Sequence, residues 1–269
     1  PQIPLPQDIF QPLRLNSLGA NVANPAELSS LDAAMQPFVS TQWTARPAQS
    51  GDAAQSQAVM SPAKATDQVG EVVYATAQMV NNAFVSSQQA FNQWQTLPVS
   101  ERADMLDRLA DLLMAHRAEL LMLLIREAGK TIPDAIDEVR EAIDFCRYYA
   151  LQAREVMQPK HLKGYTGETN TLLLVGRGVM ACISPWNFPV AIFVGQVVAA
   201  LVTGNCVLAK PAEQTSLCAA KVVELCYLAG IPQDVLQLLP GEGRVVGHAL
   251  VSHPHVAGVL FTGSTATAQ

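Results

Sequence analysis

The sequence predicts an α/β chain, an N-terminal helical segment followed by a parallel sheet built from βαβ units. Three observations predict it. Apolar residues recur at helical spacing between Asp67 and about Met157. From about Gly178 onward, short apolar runs alternate with helical ones, the pattern of strands and crossover helices in a parallel sheet. Apolar side chains make up 49% of the 269 residues, enough to bury a sizeable core.

Residues 1–65 are rich in Pro, Gln, Ser and Ala with weak periodicity. They are expected to form an extended connector with one short helix around Glu27 to Gln36. The helical pattern then begins with Val69, Val72, Val73 and Ala77, and continues with Leu106, Leu109, Ala110 and Leu113. A third helix has a visible start, because Thr131-Ile132-Pro133-Asp134 combines a capping side chain with proline in the first turn. Ile136, Val139, Ile143 and Cys146 follow on one face, as a core stripe. After a polar, glycine-containing stretch from His161 to Asn170, strands are expected near 178–183, 205–209, 235–239 and 257–261. Helices should fill 190–203, 214–229 and 243–251.

Composition excludes several function classes. With 17 basic against 23 acidic residues and no Lys/Arg cluster, this segment offers no footprint for a nucleic-acid backbone. The uncharged run from Gly178 to Ala209 is long enough to cross a bilayer, but Pro185 and Pro189 break it, and Asn187, Gln196, Thr203 and Asn205 interrupt it. No transmembrane span is expected. Cys146, Cys182, Cys206, Cys218 and Cys226 are odd in number, lie in apolar stretches and have no CxxC spacing. They read as buried thiols in a reducing, cytoplasmic compartment, and no metal site is expected. The opening PQIPLPQDIFQPLR has no initiator Met and no signal pattern, and reads as a linker from a longer protein.

In a parallel α/β sheet, ligands collect beyond the carboxyl ends of the strands. The four strand ends here are Ser184-Pro185-Trp186-Asn187, Lys210-Pro211-Ala212-Glu213, Pro240-Gly241-Glu242-Gly243 and Thr262-Gly263-Ser264-Thr265. Two prolines stiffen the loop that carries Asn187; an asparagine serving only a turn is the simpler explanation of that heptapeptide alone. Lys210 and Glu213 bracket a turn in which a carboxylate can accept both hydroxyls of a ribose; a surface ion pair is the alternative. Gly241 and Gly243 remove the Cβ atoms that would keep a flat ring or a phosphate from the backbone. Ser264 stands where a helix should begin, either beside N–H groups available to a pyrophosphate or as a plain N-cap.

The order PWNFP, KPAE, PGEG, FTGST resembles the aldehyde dehydrogenase superfamily, over about Ala65 to the last residue. RLNSLGA (14–20), REAGKTIPDAIDEVREAIDFCRYYA (126–150) and GYTGETNTLLLVGRGVMACISPWNFP (164–189) are similar to the Δ1-pyrroline-5-carboxylate dehydrogenase half of bifunctional proline-catabolism enzymes. The resemblance implies an aldehyde-dehydrogenase-like fold with a Rossmann-like sheet, of which 66–269 is an incomplete NAD-binding domain. Residues 1–65 then correspond to the connection from a proline dehydrogenase half, the only half where FAD is expected.

The resemblance also implies roles by position. Asn187 matches the asparagine whose side-chain N–H₂ holds the oxyanion of a tetrahedral hemithioacetal. Ile183, Ser184, Pro185 and Trp186 match the strand end lining the cofactor. Lys210 and Glu213 match the adenosine-ribose pair, Gly243 and Gly247 the adenine wall, and Phe261, Gly263 and Ser264 the turn near the pyrophosphate. Where many members continue TGST with Glu, this chain has Ala266, which leaves the phosphate contacts intact. The implied activity is NAD-dependent oxidation of glutamate γ-semialdehyde, a small-molecule aldehyde, to glutamate. Another semialdehyde dehydrogenase, or a non-catalytic binding or assembly module, is the alternative. None of the five cysteines holds the nucleophile's place, so the catalytic Cys and Glu are expected beyond Gln269. The fragment alone is expected to be inactive, to bind NAD weakly or not at all, and to self-associate through an open sheet edge.

Overall fold

The computed structural model describes residues 3–48 and 56–268. Local sequence chemistry sets several of its helix boundaries. Asn24 accepts a hydrogen bond from the Ala26 N–H and starts α1 (Pro25–Met35). Thr76 caps α2 (Ala77–Thr96) through the Met79 N–H, and α3 (Val99–Ala115) and α4 (Arg117–Ala128) follow. Gly129, at φ +68°, ends α4 in the left-handed region. Thr131 accepts from the Asp134 N–H at 3.3 Å and opens α5 (Ile132–Val156), as the capping pattern predicts. Ile136, Val139, Ile143 and Cys146 on α5 are buried, as are Leu106, Leu109, Ala110 and Leu113 on α3.

The segment around Val69 departs from its helical reading. Gln68–Val73 is a strand, β3, between β1 (Trp43–Ala45), parallel to it, and β2 (Ser56–Met60), antiparallel. Val69, Val72 and Val73 fit i, i+3, i+4 spacing, yet they are β-branched and settle more readily on a pleated surface. Gly70 decides the matter, since a Cβ there would collide with the Trp43 carbonyl oxygen.

The described residues among the first 65 pack into the body of the molecule, which an extended connector would not do. Leu31, Met35, Trp43 and Ala45 are buried in the main core. Arg126, on α4, donates to the carbonyls of Phe38 and Thr41 and pairs with Asp67 at 2.8 Å. Upstream, the Ser17 hydroxyl donates to Asp144 at 2.7 Å, and Arg14 pairs with the same carboxylate. Long-range contacts of this kind leave no periodic trace in the sequence. The expected polar stretch at 161–170 also carries structure, an exposed antiparallel ribbon of β4 (Lys160–Leu162) and β5 (Asn170–Leu172).

The second part matches its reading closely. β6 (Val179–Ile183), α6 (Ala191–Val202), β7 (Cys206–Lys210), α7 (Ser216–Leu228), β8 (Leu236–Leu238), a π turn at Gly243–Gly247, α8 (His248–Val251) and β9 (Val256–Phe261) appear in that order, followed by the single turn α9 (Thr265–Ala268). The sheet is parallel, in the order β8-β7-β6-β9. β7 is buried throughout, and α6 buries nine of its residues between the sheet and α5.

Candidate active site

The chain runs outward from β6 to β7 and β8, then returns to the other side of β6 to place β9. The direction of progression therefore reverses at the carboxyl end of β6, where open α/β sheets leave a crevice. Register gathers the predicted residues there. Ile183 lies opposite Lys210 on one side and Phe261 on the other. Backbone bonds lock the adjoining ends, the Ser184 N–H to the Lys210 carbonyl at 3.2 Å and the Thr262 N–H to the Ile183 carbonyl at 3.1 Å. Gln196, on α6, donates to both the Ile183 carbonyl and the Thr262 hydroxyl.

The loop after β6 presents Trp186, Asn187 and Phe188 to solvent while Ser184, Pro189 and Val190 stay buried. The Asn187 amide makes no hydrogen bond within the described residues, so a turn-satisfying role is not what holds it. The loop is held from beneath. Glu138, fully buried on α5, accepts from the Val190 N–H at 2.7 Å and the Ala191 N–H at 3.4 Å. Its other oxygen lies 3.1 Å from Lys130 Nζ, a charge contact outside hydrogen-bond angles, and that ammonium sits 4.1 Å over the Phe188 ring. Burial pushes the Glu138 carboxyl above its usual range, against the pull of the Val190 N–H and Lys130.

At the end of β7, Lys210 is buried rather than being half of a surface pair, and its ammonium donates to the Pro211 carbonyl at 3.0 Å. Burial lowers its pKa, and the Glu213 carboxylate opposes that shift. Glu213 accepts from the Gly243 N–H at 2.8 Å. A Cβ on Gly243 would face Glu213 Oε1, and one on Gly247 would lie 3.9 Å from the Lys210 side chain. The two glycines thus form one wall with the cation and the carboxylate. Gly241 turns the chain at φ +154°, where a Cβ would stand 2.6 Å from Val246 Cγ2. A carboxylate with one oxygen uncommitted among the described residues, a buried ammonium and a backbone wall without Cβ atoms fit the adenosine end of a nicotinamide dinucleotide.

The last turn is more modest. Gly263 lies against Phe261, where a Cβ would come within 2.6 Å of the ring. The Ser264 hydroxyl accepts from the Thr267 N–H at 3.2 Å, which is the N-cap reading, and α9 is too short to supply a helix dipole of any size. All five cysteines are buried and unpaired, and desolvation raises each thiol, Cys206 and Cys226 to about 12. None is poised as a thiolate. Among the described residues no group of three His, Cys, Asp or Glu side chains could hold a metal, and no helix is long and apolar enough to cross a membrane. An open groove of about 280 Å³ between α5, α6 and β9 is lined by Phe145, Gln196, Leu260 and Thr262, and contains none of the predicted site residues.

The aldehyde dehydrogenase family profile matches residues 49–269. The chain belongs to the aldehyde dehydrogenase family. The bifunctional protein PutA of Klebsiella aerogenes is 45% identical over 270 residues, covering 100% of this chain and 20% of its own length. The 1-pyrroline-5-carboxylate dehydrogenase of Anoxybacillus flavithermus is 42% identical over 205 residues, 76% of this chain and 40% of that protein. The crystal structure of PutA from Bdellovibrio bacteriovorus superposes with a TM-score of 0.89 at 34% identity, over 96% of this chain and 27% of that one. The chain spans about a fifth of the length of the PutA relatives it matches. Its helices and parallel sheet are those of an aldehyde-dehydrogenase-like α/β fold.

Sequence reasoning missed Lys130, Glu138 and Gln196 as supports of these turns. A signal existed for one of them: Glu138 shares a helix face with Ala135 and Ala142, and a carboxylate in an apolar stripe needs a partner.

Proposed function

We propose that this chain is part of an NAD-dependent dehydrogenase that oxidises glutamate γ-semialdehyde, the open form of pyrroline-5-carboxylate, to glutamate. The observation that carries the reading is the register of Ile183 between Lys210 and Phe261, which puts the Asn187 loop at the sheet's reversal, next to the Lys210–Glu213 turn. The names of the PutA and 1-pyrroline-5-carboxylate dehydrogenase relatives support the substrate.

In this reading the Asn187 side-chain N–H₂ donates to the oxygen of the aldehyde as it becomes an alkoxide in the tetrahedral adduct with a thiolate. That thiolate is none of the five buried cysteines described above. A donor held in place before reaction needs no reorganisation when charge develops. Glu213 accepts the adenosine-ribose hydroxyls, Lys210 donates to the same sugar, and Gly243 and Gly247 let the adenine approach the backbone. NAD, when bound, supplies the acceptor for the hydride that leaves the substrate carbon.

The test is kcat/KM of the full-length protein for glutamate γ-semialdehyde against short aliphatic aldehydes, followed by NADH formation. A strong preference for the aliphatic aldehydes would remove the substrate assignment. Absence of turnover with every aldehyde would favour a binding or assembly module instead.

A further inference from the structure

Two buried carboxylates on the N-terminal helices meet the starts of two sheet helices. Glu138 accepts from the Val190 and Ala191 N–H groups at the start of α6. Glu127, near the end of α4, accepts from the Leu217 N–H through Oε1 and from the Cys218 N–H through Oε2, both at 2.7 Å, at the start of α7. Neither α6 nor α7 has a side-chain cap of its own. A local Ser, Asp or Asn would satisfy such N–H groups at less cost than a buried charge, whose desolvation costs several kcal/mol. A local cap, however, moves with its own loop. A cap reaching across from α4 or α5 ties the helix start, and the turn before it, to the body of the molecule.

The two turns so tied are the ones with assigned chemistry. α6 follows the Asn187 loop, and Lys130 links Glu138 to the Phe188 ring next to Asn187. α7 follows the Lys210–Glu213 turn, with only Gln214 and Thr215 between. We propose that Glu138 and Glu127 are positioning residues with separate targets, Glu138 aiming Asn187 at the reacting oxygen and Glu127 setting the Lys210–Glu213 turn on the cofactor ribose. This rests on the function proposed above for those two turns. It requires that the two carboxylates be separable, with oxyanion stabilisation lost at one and cofactor affinity at the other.

The experiment compares Glu138→Ala, Glu138→Gln, Glu127→Ala and Glu127→Gln in the full-length protein. Glu138→Ala should lower kcat by about 10- to 100-fold, a large part of what losing an oxyanion donor costs, while NAD affinity measured by titration changes less than about twofold. Glu138→Gln keeps an oxygen acceptor for the Val190 N–H and should recover most of the loss. Glu127→Ala should weaken NAD binding about tenfold, as expected when a charge-assisted ribose contact is misplaced, with kcat at saturating NAD nearly unchanged. Hydrogen exchange should accelerate at Val190 and Ala191 chiefly in Glu138→Ala and at Leu217 and Cys218 chiefly in Glu127→Ala, with smaller changes at the same sites in the matching glutamine variants. If both alanine variants lower kcat and NAD affinity by the same factor, in step with lost thermal stability, the carboxylates are merely structural and the proposal is wrong. The glutamine variants decide between the same two outcomes if either alanine variant fails to fold. A wild type that neither turns over aldehyde nor binds NAD would instead defeat the underlying functional reading, whatever the exchange data show.

Discussion

The Gly243 N–H donates to Glu213 Oε1 at 2.8 Å, which fixes the carboxylate at the edge of a wall without Cβ atoms and leaves its second oxygen uncommitted among the described residues. A carboxylate so placed welcomes ribose hydroxyls and repels a 2′-phosphate. The full-length protein should therefore use NAD in preference to NADP. Glu213→Ala should cut kcat/KM for NAD by about tenfold, the loss of a charge-assisted hydrogen bond, and narrow the NAD/NADP ratio. Equal kcat/KM for the two cofactors in the wild type would rule out this role for Glu213.

Glu127 predicts a pH dependence of stability. Burial raises its carboxyl to about 7, against the hydrogen bonds from Cys218 and Leu217 that pull it down. Because the folded pKa lies above the unfolded value near 4.5, the folded state binds the proton more tightly. The stability this adds is complete below pH ~4.5 and is lost as pH rises through ~7, by roughly 3 kcal/mol in all. Urea unfolding of wild type and Glu127→Gln between pH 5 and 8 should show wild type losing ground to the variant as pH increases. A constant difference across that range would refute the raised pKa.

Arg102 is the stability counterpart at the opposite helix ends. Its buried guanidinium donates to the Val202 carbonyl at the end of α6 and to the carbonyls of Trp94, Gln95 and Leu97 around the end of α2. Cations favour helix C-termini, and although the Trp94 carbonyl also accepts from the Leu97 N–H, the guanidinium is what gathers all four carbonyls at once. Arg102→Met preserves the apolar stem and should cost about 2–4 kcal/mol. The measurement is the urea midpoint at unchanged slope, and a loss under about 0.5 kcal/mol would show that water takes over the carbonyls.

The elements of the second part were legible in the sequence because each carries both period and punctuation. β6 to α6 is an apolar run, a Pro-rich loop and a second apolar run, and β7 ends on Lys210-Pro211. Gln68–Val73 was not legible, because its valines satisfy helical and strand spacing alike and the contact that decides, Gly70 on Trp43, is made by a residue distant in the chain. The candidate site divides in the same way. Asn187 and Glu213 announce themselves by their positions at strand ends, whereas Glu138 and Glu127 act on N–H groups of residues 190–191 and 217–218, which no local pattern connects to α4 or α5. At Ser264 the strand-end reading left two roles open, and the hydroxyl takes the capping one, accepting from the Thr267 N–H.

The state of the thiols makes a further prediction. Cys146, Cys182, Cys206, Cys218 and Cys226 are all buried, with thiols raised by desolvation, so alkylation at neutral pH should leave them unmodified while the protein is folded. Peptide mass mapping after a brief iodoacetamide pulse checks this. Rapid labelling of Cys182, the thiol nearest in sequence to the Asn187 loop, would reopen the question of which sulfur attacks the aldehyde.

The sharpest test of the site is Asn187 itself. Its amide is exposed at the reversal of the sheet, in a loop stiffened by Pro185 and Pro189 and tied down by Glu138, and it makes no hydrogen bond within the described residues. A side chain with no structural partner contributes little to folding, so Asn187→Ala should leave thermal stability within about 0.5 kcal/mol of wild type. If the amide donates to the oxyanion, the same substitution removes an interaction made mainly in the transition state. kcat for aldehyde oxidation should then fall by about 10²- to 10³-fold, equivalent to ~2.7–4 kcal/mol, with KM for NAD little changed. Asn187→Asp is nearly isosteric but replaces the donor with an acceptor of like charge, and should be at least as damaging as alanine. A variant at position 187 that keeps near-wild-type kcat would assign the loop to shape alone, and the oxyanion donor would have to be sought elsewhere.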